Sequence, residues 1–226
     1  MNMKRIIAAV VCLIGFSFAG FAQKSSPRVP RKPVKNTLTD AEKETRFVHD
    51  LMKKMTLTEK IGQLSQYVGG ELLTGPKSGA VSDSLFVRGM VGSILNVGGV
   101  DNLRKLQQKN MESSRLKIPI LFAFDVIHGY KTIFPTPLAE SCSWDLALMY
   151  ETAKAAAIEA SASGIHWTFA PMVDVARDPR WGRIVEGAGE DTYLGCKIAE
   201  ARVRGFQWNL GKPNALFACA KHFVAY

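Results

Sequence analysis

The sequence predicts an α/β protein on a parallel sheet, about the first half of a (β/α)8 TIM-type barrel. Three observations carry this reading. Four apolar runs alternate with helical patterns, the runs are continuous rather than alternating, and chemically capable polar residues follow the ends of three of them. Strands covered on both faces read as continuous apolar runs, and regular strand–helix alternation makes the sheet parallel. Barrels assemble their active sites just past the C-terminal ends of the strands. A doubly wound sheet also fits the alternation, but no Gly-rich phosphate loop follows the first run. With 226 residues and four predicted strands where closure takes eight, the chain is expected to be an incomplete barrel.

Residues 1–22 predict a signal peptide. Lys4 and Arg5 precede the apolar run Ile6 to Phe18, and small residues around Gly20-Phe21-Ala22 suit cleavage before Gln23. The run is shorter than the ~20 apolar residues that span a bilayer, so an exported protein, periplasmic or secreted, is expected, with no stable membrane anchor. Cys12, inside the run, is not read as a lipid attachment site.

Residues 23–38 read as a basic Ser/Pro/Lys linker that cannot bury apolar surface and is expected to be disordered. Much of the net charge of +9 belongs here: Lys4, Arg5, Lys24, Arg28, Arg31, Lys32 and Lys35 precede the first acid, Asp40. Without those seven the remainder is +2, so a nucleic-acid partner is not expected. Residues 39–226 form the predicted barrel portion.

Within it, Phe47, Val48, Leu51, Met52 and Met55 recur at helix spacing, and Thr56 with Glu59 makes a capping box for the next helix. A Gly-rich stretch follows. The run Val91 to Leu95 then predicts a strand, Asp101 to Leu116 a helix and Ile118 to Phe124 a strand. An Ala-rich helix from Trp144 to Ser163, a strand at Trp167 to Ala170, a helix from Asp191 to Gln207 and a strand at Leu216 to Ala220 complete the order. Cys142, Cys196 and Cys219 fit neither a disulfide framework nor a metal motif; buried free thiols are expected, with one disulfide left open. No metal or cofactor motif is found.

Asp125, at a strand end, can accept hydrogen bonds from two adjacent hydroxyls, as recognition of a sugar edge requires. Equally, it could cap a turn, with His128 a structural histidine. The segment Arg177-Asp178-Pro179-Arg180-Trp181-Gly182-Arg183 packs three guanidinium groups, a carboxylate and an indole together. Arg183 is assigned to the pocket; Arg177, Asp178 and Arg180 are assigned to an ion-pair network, Trp181 to loop packing and Glu190 to support of the arginines. Asp191 is expected to cap the following helix. Neighbours in a strand point to opposite faces, so for Lys221 and His222 to share one pocket the backbone must turn sharply near Phe223.

Together, Phe124-Asp125-Val126-Ile127-His128-Gly129, Thr132-Ile133-Phe134-Pro135, Phe169-Ala170-Pro171, the Arg177–Arg183 segment, Glu190-Asp191 and Ala220-Lys221-His222-Phe223 closely resemble, in order, the N-terminal barrel domain of glycoside hydrolase family 3. The resemblance implies a retaining, exo-acting β-glucosidase-like enzyme, with Asp125, Arg183, Lys221 and His222 holding the terminal sugar of a β-linked oligosaccharide or glucoside. It implies a nucleophilic Asp on a later strand and an acid/base Glu in a second domain, both beyond residue 226, so no catalytic residue is assigned here, and neither Asp174 nor Glu190 is promoted to those roles. Val224-Ala225-Tyr226 stands where the family's N-acetylhexosaminidase branch carries Pro-Gly-His, which favours the glucosidase-like branch. The competing reading is a non-catalytic exported sugar-binding protein or degenerate remnant.

Overall fold

The computed structural model describes residues 38–69, 81–223 and 226. The expected signal peptide, Cys12, nearly all of the linker and the Gly-rich stretch lie outside the described residues. The chain divides into two compact units, residues 1–46 and 47–226. In the first, the amide and hydroxyl of Thr39 both donate to the Glu42 carboxylate, at 2.7 and 2.9 Å, and start helix α1 (Asp40–Lys54). α1 ends in the second unit, where its apolar residues Phe47, Val48 and Met52 are exposed.

The second unit continues with α2 (Leu57–Gln63), β1 (Gln66–Val68), α3 (Asp83–Val87), β2 (Ser93–Leu95), α4 (Val100–Ser113) and β3 (Leu121–Phe124). It then adds α5 (Pro137–Ser141), α6 (Leu146–Ala162), β4 (Trp167–Thr168), a 3₁₀ turn at Ile184–Glu186 and α7 (Thr192–Phe206). The described strands form one parallel sheet in the order β1-β2-β3-β4, with Ile94 opposite Phe122 and Phe124 opposite Thr168. The α/β class and the parallel sheet are as predicted.

The helix ends follow local chemistry. Thr56 and Glu59 form the expected capping box on α2, the Asp145 carboxylate accepts the Leu148 amide at the start of α6, and Asp191 accepts the Leu194 amide at the start of α7.

Two strand expectations are corrected. β1 was not anticipated: it is three residues long, begins with Gln66 and is held by its register on β2 rather than by an apolar run. Leu216 to Ala220, with Lys221 after it, is not a continuous strand. It meets its neighbour at isolated parallel bridges, Phe217 to Trp167 and Lys221 to Met172. Pro171, between those bridges, has no N–H to give a ladder, and its carbonyl accepts the Lys221 amide instead.

One sheet face packs under the helices. Ile94, Phe122, Val126, Ile165, Phe206 and Leu216 are buried there with the alanines of α6. On the other face Leu121 is exposed, as is Phe217 beside β4. Small side chains bring α6 and α7 close together. A Cβ on Gly205 would stand 2.4 Å from the Tyr150 carbonyl oxygen and 2.8 Å from the Ala153 Cβ. Cys142 and Cys196 are exposed and Cys219 is half-buried, all three free, which corrects the expectation of buried thiols.

Glu59 does more than cap. Arg115 donates to both of its carboxylate oxygens, at 3.1 and 2.7 Å, and with the Thr56 amide lowers its pKa to about 2. This ties α2 to the segment after α4.

Two outcomes are expected. Gly205→Ala lowers stability by about 1–3 kcal/mol in urea unfolding, because overpacking against backbone outweighs the helix-propensity gain. Glu59 has a folded pKa below its unfolded one, so its contribution is complete above about pH 4.5 and is lost as pH falls toward about 2. Stability measured across that window should therefore slope less in Glu59→Gln than in the parent.

Candidate functional site

Asp125 directly follows β3, and the backbone beyond it is clamped. The Val126 amide donates to the Thr168 hydroxyl at 3.0 Å, and the Val126 side chain is fully buried. The Ile127 carbonyl accepts from the guanidinium of Arg202 on α7. Arg202 and Glu140 on α5 are 3% and 4% exposed and form an ion pair, and the Thr152 hydroxyl on α6 donates to the second Glu140 oxygen at 2.7 Å.

Gly129, with φ of 113°, makes the next turn, where a Cβ would strike the Thr132 carbonyl. His128 Nδ1 lies 3.0 Å from the Phe134 carbonyl oxygen and closes this loop. His128 is thus the structural histidine of the two readings. The Asp125 carboxylate stays 42% exposed, 3.8 Å from the Lys221 ammonium.

Arg183 reaches the same cluster from the loop after β4. It opens the 3₁₀ turn, and spacing of three residues sets Glu186 beside it. Arg183 Nε and Nη2 donate to the two Glu186 oxygens, each at 2.6 Å. Lys221 Nζ lies 3.4 Å from Glu186, so one carboxylate supports both cations. Arg183 first, with Lys221 adding to it and burial opposing, holds the Glu186 carboxyl below the ordinary carboxylate range. The same pairing raises the pKa of Arg183.

The peptide between Lys221 and His222 is cis, and both side chains enter one cluster. Lys221 is buried between Asp125 and Glu186. His222 turns toward Asp174: the Asp174 Oδ2 accepts the His222 amide at 3.0 Å and lies 2.9 Å from Nδ1 of the ring. The other ring nitrogen, Nε2, lies 3.4 Å from Arg183 Nη1. All four predicted residues therefore meet: Glu186 joins Arg183 to Lys221, Lys221 lies beside Asp125, and Arg183 reaches His222, which Asp174 holds.

The supporting acids differ from those expected. Glu190 is exposed, and Glu186 holds the arginine instead. Of the expected network, Asp178 and Arg180 do pair at 2.6 Å, exposed to solvent, whereas Arg177 lines a cavity of about 440 Å³ with Asp174, Asp178, Trp181, His222 and Tyr226. Trp181 is thus a cavity wall as well as a packing residue, its ring 5.3 Å from that of Tyr226. The cavity adjoins the cluster through His222 and Asp174; Asp125, Arg183 and Lys221 do not line it. Among the described residues no group of three His, Cys, Asp or Glu is placed to hold a metal ion.

The profile of the glycosyl hydrolase family 3 N terminal domain matches residues 56–226. The periplasmic beta-glucosidase of Salmonella typhimurium is 44% identical over 184 residues, covering 80% of this chain and 23% of that protein. A putative beta-xylosidase of Formosa agariphila is 30% identical over 202 residues, covering 79% of this chain and 26% of that protein. The crystal structure of a beta-glucosidase from Listeria innocua in complex with isofagomine superimposes with a TM-score of 0.73 at 40% identity, covering 79% of this chain and 25% of that one. The chain thus spans about a quarter of the length of these relatives.

Truncating one partner of the buried pair should be costly. Arg202→Met leaves Glu140 buried without its cation and is expected to lower stability by about 3–5 kcal/mol. Adding Glu140→Leu should recover much of that loss in chemical denaturation, and a double variant no better than the single would contradict it.

Proposed function

This chain belongs to glycosyl hydrolase family 3, and from that membership we propose that it supplies part of a pocket gripping a terminal, non-reducing β-D-glucosyl or related residue. Asp125, Arg183, Lys221 and His222 are the proposed substrate-binding residues. The activity proposed for the whole protein is hydrolysis of the O-glycosidic bond of β-linked oligosaccharides or glucosides. The observation that carries this reading is the convergence of four hydrogen-bonding side chains from three segments of chain on one cluster, held by Glu186 and Asp174. Sugar hydroxyls both donate and accept, and such an array of fixed charged donors and acceptors suits them.

The retaining reaction uses two carboxyl groups about 5–5.5 Å apart, one a nucleophile and the other an acid/base. We assign neither role within this cluster. Glu186 is held ionised by Arg183 and Lys221 and has no proton to give. Asp174 is engaged by His222, and Asp125 faces Lys221. Both reacting carboxyls are therefore assigned to residues outside the cluster.

Export, to the periplasm or the medium, is proposed with the signal peptide at residues 1–22 and the linker at 23–38. The charged and apolar pattern of that segment supports it, as does a relative named as periplasmic. No helix among the described residues is long and apolar enough to cross a membrane.

Calorimetric titration of the 226-residue chain with glucose is expected to give saturable binding. Asp125→Ala and Lys221→Met should each weaken it roughly tenfold or more, the loss of a charged hydrogen bond. Absence of binding to the folded chain would favour the remnant reading. Hydrolysis of an aryl β-glucoside is expected to stay at the buffer rate; turnover abolished by Asp125→Ala would overturn the assignment of the chemistry to other residues.

A further inference from the structure

His222 is gripped at both ring nitrogens, and the two grips specify the same hydrogen arrangement. Asp174, its side chain 7% exposed, sets Oδ2 2.9 Å from Nδ1. A carboxylate only accepts, so Nδ1 carries the hydrogen. At the other end a guanidinium nitrogen of Arg183 lies 3.4 Å from Nε2. Arginine only donates, so Nε2 presents its lone pair.

The alternatives fail at one end or both. The Nε2–H tautomer sets a lone pair against a carboxylate oxygen and an N–H against an N–H. The doubly protonated ring satisfies Asp174 but sets a second cation against Arg183. The Tyr226 ring packs beside the imidazole, with centroids 4.7 Å apart.

We propose that Asp174 is a positioning residue that fixes His222 in its Nδ1–H tautomer, making the imidazole an obligate acceptor toward the pocket. Arg183 and Lys221 only donate, and Asp125 and His222 only accept. A ligand atom that displaces the direct contact of Arg183 Nη1 with His222 Nε2 must accept from the first and donate to the second. A hydroxyl does both; fluorine and an ether oxygen cannot donate. This selection of a hydroxyl rests on the sugar-binding reading, whereas the tautomer does not.

Long-range ¹H–¹⁵N spectra of the ¹⁵N-labelled chain at neutral pH test the tautomer. The sequence holds four histidines, and His222→Gln assigns the signal. The expected result is a protonated Nδ1 and a bare Nε2. A protonated Nε2, a doubly protonated ring or free-imidazole averaging would overturn the proposal. Arg183→Met removes the second grip and should keep the Nδ1–H form; its loss would transfer the role from Asp174 to Arg183. Asp174→Leu should abolish it, and the parent and Arg183→Met spectra still decide where the Leu variant unfolds.

Titration with the monodeoxyfluoro glucoses tests the ligand half. One position should lose roughly tenfold or more in affinity with fluorine in place of hydroxyl. If no glucose derivative binds while the Nδ1–H form is present, the sugar reading fails and the tautomer assignment stands.

Discussion

Arg202 and Glu140 hold together what the rest of the fold arranges. Burying each charge costs several kcal/mol, which mutual attraction offsets only where further hydrogen bonds complete the shell. Thr152 and the Ile127 carbonyl supply two of them, while Arg202 Nε is buried without a hydrogen-bond partner among the described residues. The four groups belong to α5, α6, α7 and the exit of β3, so four separately formed pieces of chain share one electrostatic requirement. Desolvation alone lowers the pKa of Arg202, and Glu140 opposes it. Ile127 is two residues past Asp125, so the pair also determines where that carboxylate begins.

The cluster of Asp125, Arg183, Lys221 and His222 follows a related logic at lower burial. Its donors each stand on an acid: Arg183 and Lys221 on Glu186, Lys221 also beside Asp125, and the Nδ1 side of His222 on Asp174. Carboxylates used as supports are consumed as chemistry, which is why a cluster with three acids offers no free acid/base pair. Electrostatic order within the cluster comes from residues that contact other residues.

Much of this was legible in the sequence, for reasons that differ by residue. Thr56, Glu59 and Asp191 were readable because capping is local chemistry over three or four positions. The parallel sheet was readable because Ile94 and Phe122 lie in continuous apolar runs. That Asp125, Arg183, Lys221 and His222 gather in one cluster was readable from their places after strands and from a family pattern. Glu186 and Asp174 were not, since their partners are fixed by a short turn and by a contact 48 residues apart. Arg202 was invisible for the opposite reason: an arginine on a helix reads as solvated until its partner, 62 residues away, is known. β1 escaped because its register, not its composition, makes it a strand.

The single oxygen of Asp174 accepts from both the backbone and the ring of His222. Main chain and side chain at that position are therefore locked by one atom, and the ring loses its rotational freedom when the protein folds rather than when a ligand arrives. The entropy of aligning that ring is met in advance, so affinity gained there is not diminished by a later ordering cost.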